Sequence, residues 1–220
     1  MYAFISYQTA DKAFAGKIKN ILKDVGIASF LAHEDINVSE EWRQKILEEI
    51  GKADLFISLW SANYNSSPWC IQESGIASFR KEMTIIPLSI DESIPQGFAG
   101  NIQAKKRIDL ERLSIHDLMT GIIKADLNCG IEIIFTLIAG SMSFRGAEDN
   151  FKPLLPYIDS LSQEQGKKIL EIAIENKQVH HATLCAREYL PPLMDKFGHL
   201  LSAKNNEFLK GILAEYAAES

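Results

Sequence analysis

The sequence predicts an α/β protein in which a parallel five-stranded sheet carries helices on both faces and a small all-helical region follows. Three observations lead there. From residue 1 to 126, short apolar runs of strand length alternate with longer segments at helical spacing, the order that a parallel sheet with crossover helices imposes. Beyond Asn150 the apolar residues recur at helical spacing only. With 220 residues, 46% hydrophobic and 24% charged, the chain suits one α/β domain and a helical appendage, with enough apolar material for a sizeable core.

Each element has its own signal. Tyr2 to Tyr7 reads as a buried strand; Phe14, Ile18, Ile21, Leu22 and Val25 then fall at helical spacing, with Gly26 as the helix C-cap. Ile27 to Leu31 is the second strand. Ala32 to Glu40 is a polar connection in which Ser39 serves as N-cap for a helix with the apolar face Trp42, Ile46, Leu47 and Ile50, closed by Gly51. Leu55 to Trp60 is the third strand, Ser61 to Ser67 a loop of small polar residues, and Pro68 the first helical position behind a Ser cap. Thr84 to Ile90 is the fourth strand, ended by the Asp91-Glu92-Ser93 turn. A weaker fifth strand is expected at Lys106 to Asp109, ahead of a helix carrying Leu118, Met119, Ile122 and Ile123. Five such units wind right-handedly into a flavodoxin-like sheet with functional groups at the carboxyl ends of its strands. The expected division is an α/β domain at 1–126, a connector at 127–150 and a helical region at 151–220. In that last region Ser162 and Gln165 have capping-box spacing ahead of Ile169, Leu170, Ala173 and Ile174. Pro191-Pro192 is expected to break the helical stretch, and Phe208, Leu209, Ile212, Leu213 and Tyr216 form a final apolar stripe.

Charge and cysteine usage exclude several classes. The net charge is −6. Up to Arg145, 15 Lys and Arg stand against 18 Asp and Glu, and beyond it 8 against 11. Nucleic-acid binding needs clustered cations, and the one local run, Lys105-Lys106-Arg107, reads as a solvated strand start. Cys70, Cys129 and Cys185 have no paired spacing, so neither a disulfide framework nor a zinc knuckle is indicated, in keeping with a reducing compartment. The first residues enter a strand at once, without a signal-peptide pattern. The longest apolar stretch, Ile131 to Ala139, is too short to span a bilayer, and a cytoplasmic location is expected.

Ser67-Pro68-Trp69-Cys70-Ile71-Gln72-Glu73 opens the helix after the third strand and sets Trp69 and Glu73 four residues apart on one helical face. That pairs a flat apolar surface, able to stack a ring, with an anion able to stabilise a developing cation. By spacing alone, Glu73 reads as an exposed helix carboxylate and Trp69 as a core anchor. Phe4-Ile5-Ser6-Tyr7, the segment Phe30 to Trp42, and Trp69-Cys70-Ile71-Gln72-Glu73, however, resemble in order the first strand, BB loop and Trp-Cys-x-x-Glu motif of Toll/interleukin-1 receptor (TIR) domains. The resemblance covers residues 1 to 125 and is closest to bacterial and plant TIR domains that cleave NAD+, including the Thoeris-like enzymes of antiphage defence. It implies Glu73 as catalytic carboxylate, substrate contacts from Tyr7, Asp11, Phe30, Asp35, Trp42 and Trp69, and a BB-type loop, with His33, Glu34 and Asp35, that closes over substrate or touches a neighbouring subunit. Val38-Ser39 stands where a glycine is often found in that loop.

One carboxylate suffices for such a reaction. Ordinary glycosidases need two because an alkoxide leaving group must be protonated, whereas nicotinamide departs neutral from a pyridinium. The carboxylate is then left to face the positive charge developing on the ribose. What the resemblance implies is an NAD+ nucleosidase or ADP-ribosyl cyclase, with NAD+ as substrate and no cofactor or metal. It further implies a homo-oligomer formed through TIR–TIR contacts and a separate effector responding to the product, with no nucleic acid or membrane as partner. ADP-ribose, a cyclic isomer and a conjugate are all open as products. Two alternatives share the fold: a non-catalytic TIR adaptor acting by homotypic assembly, and a nucleoside deoxyribosyltransferase-like enzyme that accepts free nucleosides. The acidic cluster and phosphoacceptor of a receiver domain, a dinucleotide-binding glycine fingerprint and a P-loop are not found. His180-His181 reads as a surface pair without metal-ligand spacing, and Cys70, despite its place at a helix N-terminus, as a packing residue.

Overall fold

Strands of the kind that parallel sheets bury on both faces read as continuous apolar runs, and Leu55–Trp60, with all six residues buried, is such a run. In the computed structural model, which describes residues 1–32, 42–101, 104 and 108–218, four parallel strands form one sheet: β1 (Tyr2–Ser6), β2 (Ala28–Leu31), β3 (Leu55–Trp60) and β4 (Thr84–Ser89), in the order β2-β1-β3-β4. The helices of this part are α1 (Lys12–Asp24), α2 (Trp42–Lys52), α3 (Ala62–Ser66), α4 (Pro68–Phe79) and α5 (Met119–Ala125). They belong to a compact unit of residues 1–129; residues 130–220 form a second one.

Register aligns side chains across the sheet. Phe4 stands beside Phe30 and Phe56, and its ring lies 5.5 Å and 5.6 Å from theirs. Against these rings pack Ile46 and Ile50 of α2 and Ala77 of α4. The Arg80 guanidinium donates to the carbonyls of Ile50 and, at 2.8 Å, of Ala53, tying the end of α4 to the end of α2. Gly121 lets α5 approach β4 closely: a Cβ there would stand 2.3 Å from the Ile86 side chain. Gly26, at φ +78°, turns the chain out of α1 in a conformation that costs only glycine little.

Two expectations need adjustment here. The stretch Ser61 to Ser67 is not a plain loop, because Ser61 caps α3 by accepting from the Tyr64 N–H at 3.0 Å and the buried Tyr64 ring lies 4.4 Å from Trp60. Ser67 then caps α4, with Pro68 in its first turn. Of the expected fifth strand, Lys106 and Arg107 lie outside the described residues, as does Lys105. The Ile108 N–H donates to the Ser89 carbonyl at 2.9 Å, and among the described residues the sheet has four strands.

The second unit is helical. Residues 127–150 carry α6 (Leu127–Ala139) and α7 (Phe144–Phe151); α8 (Gln163–Glu175), α9 (Lys177–His180), α10 (Leu190–Phe197) and α11 (Ala203–Ala218) follow. Ser162 and Gln165 form the capping box, and Leu209 and Ile212 are the buried part of the final stripe. The expected break at Pro191-Pro192 does not occur. The prolines sit in the first turn of α10, directly after a π turn at Cys185–Tyr189 in which the Leu190 N–H reaches back to the Cys185 carbonyl. The wider turn makes room for rings that lack an N–H and would clash with the carbonyls of a regular helix. No helix among the described residues is long and apolar enough to cross a membrane.

Candidate functional site

In an open parallel sheet, ligands bind outside the carboxyl ends of the strands where the strand order reverses direction. The order β2-β1-β3-β4 puts that point between β1 and β3. Residues in register on parallel strands share a face, so Ser6 and Ser58 stand side by side at these ends on the face that also carries Phe4 and Phe56. Trp60 and Ser89 are aligned one step further along. The layer is polar inside an apolar core: the Trp60 indole N–H donates to Ser58 Oγ at 2.9 Å.

Glu73 enters this layer from α4, whose buried residues Cys70, Glu73, Ser74 and Ala77 follow helical spacing. Its side chain is 1% exposed. Ser6 Oγ donates to Glu73 Oε2 at 2.5 Å, and Ser6 Oγ lies 2.9 Å from the Tyr64 hydroxyl, which donates to the Cys70 carbonyl at 3.2 Å. Glu73 Oε1 is buried with no hydrogen-bond partner among the described residues. Burial pushes the carboxyl up from 4.5 to about 7, against the opposing effect of the Ser6 hydroxyl. The same burial, with the Glu73 charge adding to it, raises the Tyr64 phenol well above its usual range.

A second carboxylate stands close to the same strand ends. Asp11, after β1, accepts from Ser61 Oγ at 2.6 Å, and Ser61 directly follows β3. Burial raises the Asp11 carboxyl, Ser61 opposes this, and the charge of Asp91 raises it further. Asp91 itself takes N–H groups from Ala62 at 2.8 Å and Ser93 at 3.1 Å, which pin the loop after β4. The model of the TIR domain family matches residues 3–118, more than half of the chain and all of the sheet just described except Tyr2. This chain belongs to the TIR domain family.

Within the TIR domain the expected site residues differ in exposure. Glu73 is buried, and Trp69, expected beside it, is 43% exposed. Four residues of helix keep the two on neighbouring positions, yet the buried stripe runs through Cys70 and Glu73, and Trp69 falls on its solvent flank. Phe30 is 5% exposed and serves the core beside Phe4. Trp42, the first residue of α2, is half-buried against that core. Tyr7 is buried directly after β1. Asp35, with His33, Glu34 and Val38-Ser39, lies outside the described residues. Cys70 is fully buried beside Trp60 and Tyr64. Burial pushes its thiol up to about 12, so the packing reading fits.

His180 corrects an expectation. It is 6% exposed rather than a surface residue, because its Nδ1 bonds the Ala173 carbonyl at 2.7 Å and the Phe208 ring stands edge-on 5.5 Å away. Burial lowers its proton affinity. Among the described residues no group of three or more His, Cys, Asp or Glu is placed to hold a metal ion.

Ser6, Ser58, Ser61 and Tyr64 were not among the expected site residues of the TIR domain. The signal for the first two was period-two alternation, which puts Ser6 on the Phe4 face and Ser58 on the Phe56 face, where a polar residue needs a partner. Tyr64 carried no such signal, since only the local helix α3 aims it at Ser6.

Proposed function

We propose that this TIR domain cleaves the bond between nicotinamide and ribose in NAD+, with Glu73 as the catalytic carboxylate. The observation that supports this reading most directly is a buried carboxyl held through one oxygen by Ser6, its other oxygen unpartnered, at the switch point of the sheet. A buried oxygen without a partner costs on the order of 1–3 kcal/mol, a cost that a ribose hydroxyl in contact with it would offset. Nicotinamide leaves as a neutral base and needs no general acid, while the carboxylate stabilises the charge growing at the anomeric carbon. A low-polarity surround strengthens that stabilisation and holds the proton until about pH 7. Since Glu73 is 1% exposed, substrate reaches it only after the groups over it move. Assembly of several TIR domains supplies a natural trigger for that opening.

On this reading the product is ADP-ribose or a cyclic or modified ADP-ribose. The chain acts in the cytoplasm of a bacterium under phage attack, either depleting NAD+ or signalling to a separate effector. The test is to incubate the purified, concentrated chain with NAD+ and follow nicotinamide and all ADP-ribosyl products by mass-resolved chromatography, with Glu73→Gln in parallel. Nicotinamide release by the wild type alone supports the reading, and nicotinamide riboside as a second substrate tells it from deoxyribosyltransferase-like chemistry.

The adaptor reading has an observation of its own. Trp69, Ile76 and Phe79 leave an apolar flank of α4 in solvent, Phe79 at 88% exposure. If both proteins are inert with NAD+ while the wild type self-associates through that flank, the domain is a scaffold.

A further inference from the structure

Ser6 and Tyr64 are fully buried hydroxyls in the polar layer of this face; they bond each other, Glu73 and the Cys70 carbonyl, and the Cys70 thiol lies beside Ser6. The chain Glu73 Oε2, Ser6 Oγ, Tyr64 Oη, Cys70 O has three links. We propose that Ser6 and Tyr64 are positioning residues for Glu73: a hydroxyl relay anchored on the Cys70 carbonyl that clamps Oε2, leaves Oε1 for the ribose, and reverses direction when Glu73 loses its proton. The role assigned to Oε1 rests on the NAD+-cleavage reading; the clamp and its reversal do not.

The reversal follows from counting protons. With Glu73 protonated, the carboxyl donates to Ser6, Ser6 to Tyr64 and Tyr64 to the Cys70 carbonyl, so three protons fill three links. With Glu73 ionised only two protons remain. Ser6 must then donate to the carboxylate, 2.5 Å away, and Tyr64 turns to donate to Ser6, 2.9 Å away. The Cys70 carbonyl loses its phenol donor at small cost, since it lies in the first turn of α4 and has the helix's own i+4 N–H as partner. Two hydroxyls donating in series toward a buried anion reinforce each other. Without Ser6 the Glu73 carboxylate would have no hydrogen-bond donor among the described residues. The titratable groups whose acidity couples to Glu73 are Tyr64 on α3 and Cys70 on α4, both raised by burial and by the Glu73 charge, so both stay neutral while Glu73 titrates.

The test is carbon NMR on the full chain labelled at the glutamate carboxyl and tyrosine Cζ positions. Glu73→Gln and Tyr64→Phe assign the two signals. In the wild type the Glu73 carboxyl and the Tyr64 Cζ signals are expected to move together, with one midpoint near 7. In Ser6→Ala the Glu73 midpoint rises by about one unit or more, the loss of a charge-assisted donor, and the Tyr64 signal no longer follows it. Ser6→Thr, which keeps the hydroxyl, restores both. In kinetics, Ser6→Ala shifts the acid limb of nicotinamide release to higher pH and lowers kcat more than it changes KM. A Glu73 midpoint unmoved in Ser6→Ala, or a Tyr64 signal flat across the wild-type titration, overturns the relay. Should the wild type release no nicotinamide, the carbon signals still decide the relay and the NAD+ reading alone falls. If Ser6→Ala does not fold, Ser6→Cys, of the same shape and a weaker donor, carries the same comparison.

Discussion

Replacing Glu73 by glutamine should separate the pH dependence of stability from every other property of the fold. Below pH 4.5 the carboxyl is protonated in both the folded and the unfolded chain. As pH rises, the unfolded chain ionises first while the folded one keeps its proton up to about 7, so the contribution of Glu73 to stability is lost through that window and is level above it. Each pKa unit corresponds to about 1.4 kcal/mol, and a shift from 4.5 to about 7 makes the loss between pH 5 and pH 8 roughly 2.5 kcal/mol. The group is 1% exposed, so solvent screens little of it. The amide introduced by Glu73→Gln does not titrate, and whatever it gains or loses beside Ser6 is constant with pH. All three tryptophans, Trp42, Trp60 and Trp69, lie in residues 1–129, so urea unfolding followed by tryptophan emission reports on that unit. The stability of Glu73→Gln relative to wild type is expected to grow by roughly 2.5 kcal/mol from pH 5 to pH 8. A difference that stays flat would refute the burial argument, because it would mean that Glu73 ionises in water-like surroundings.

Other consequences are checked independently. Nicotinamide release should climb as pH passes about 7 and level above it, since only the ionised Glu73 faces a developing cation; a flat profile down to acid pH would remove Glu73 from the reaction. Gly121→Ala drives a methyl to 2.3 Å from Ile86 and should destabilise the first unit by about 1–3 kcal/mol, read by tryptophan emission. Gly166→Ala does the same against the Phe197 ring, also at 2.3 Å. Its cost, again about 1–3 kcal/mol, should appear in far-UV circular dichroism of the helical unit.

Period and punctuation made the architecture legible. Apolar runs of strand length marked β1 to β4, Gly26 and Ser67-Pro68 marked helix ends, and Ser162 with Gln165 marked the start of α8, because each of these acts within a few residues of chain. The misreadings came from places where a folded-state contact or an unusual turn decides. Pro191-Pro192 breaks a regular helix but not one widened by a π turn. His180 looked solvated until the Ala173 carbonyl and Phe208 were folded around it. Ser61 to Ser67 looked like a loop until Tyr64 found Trp60.

The sequence by itself determined the α/β class, the helical character of the last third, the membership that three ordered motifs announced, and Glu73 as the residue to watch. All of these rest on residue type and spacing along the chain. Only the tertiary structure decided that Glu73 faces inward while Trp69 does not, that Ser6 holds one carboxyl oxygen, and that Tyr64 from a separate helix completes the chain of hydroxyls. Those facts depend on the register of β1 against β3 and on the turn of α4 over their ends. A carboxyl's proton affinity is set by what surrounds it in space, and spacing along one chain does not record that.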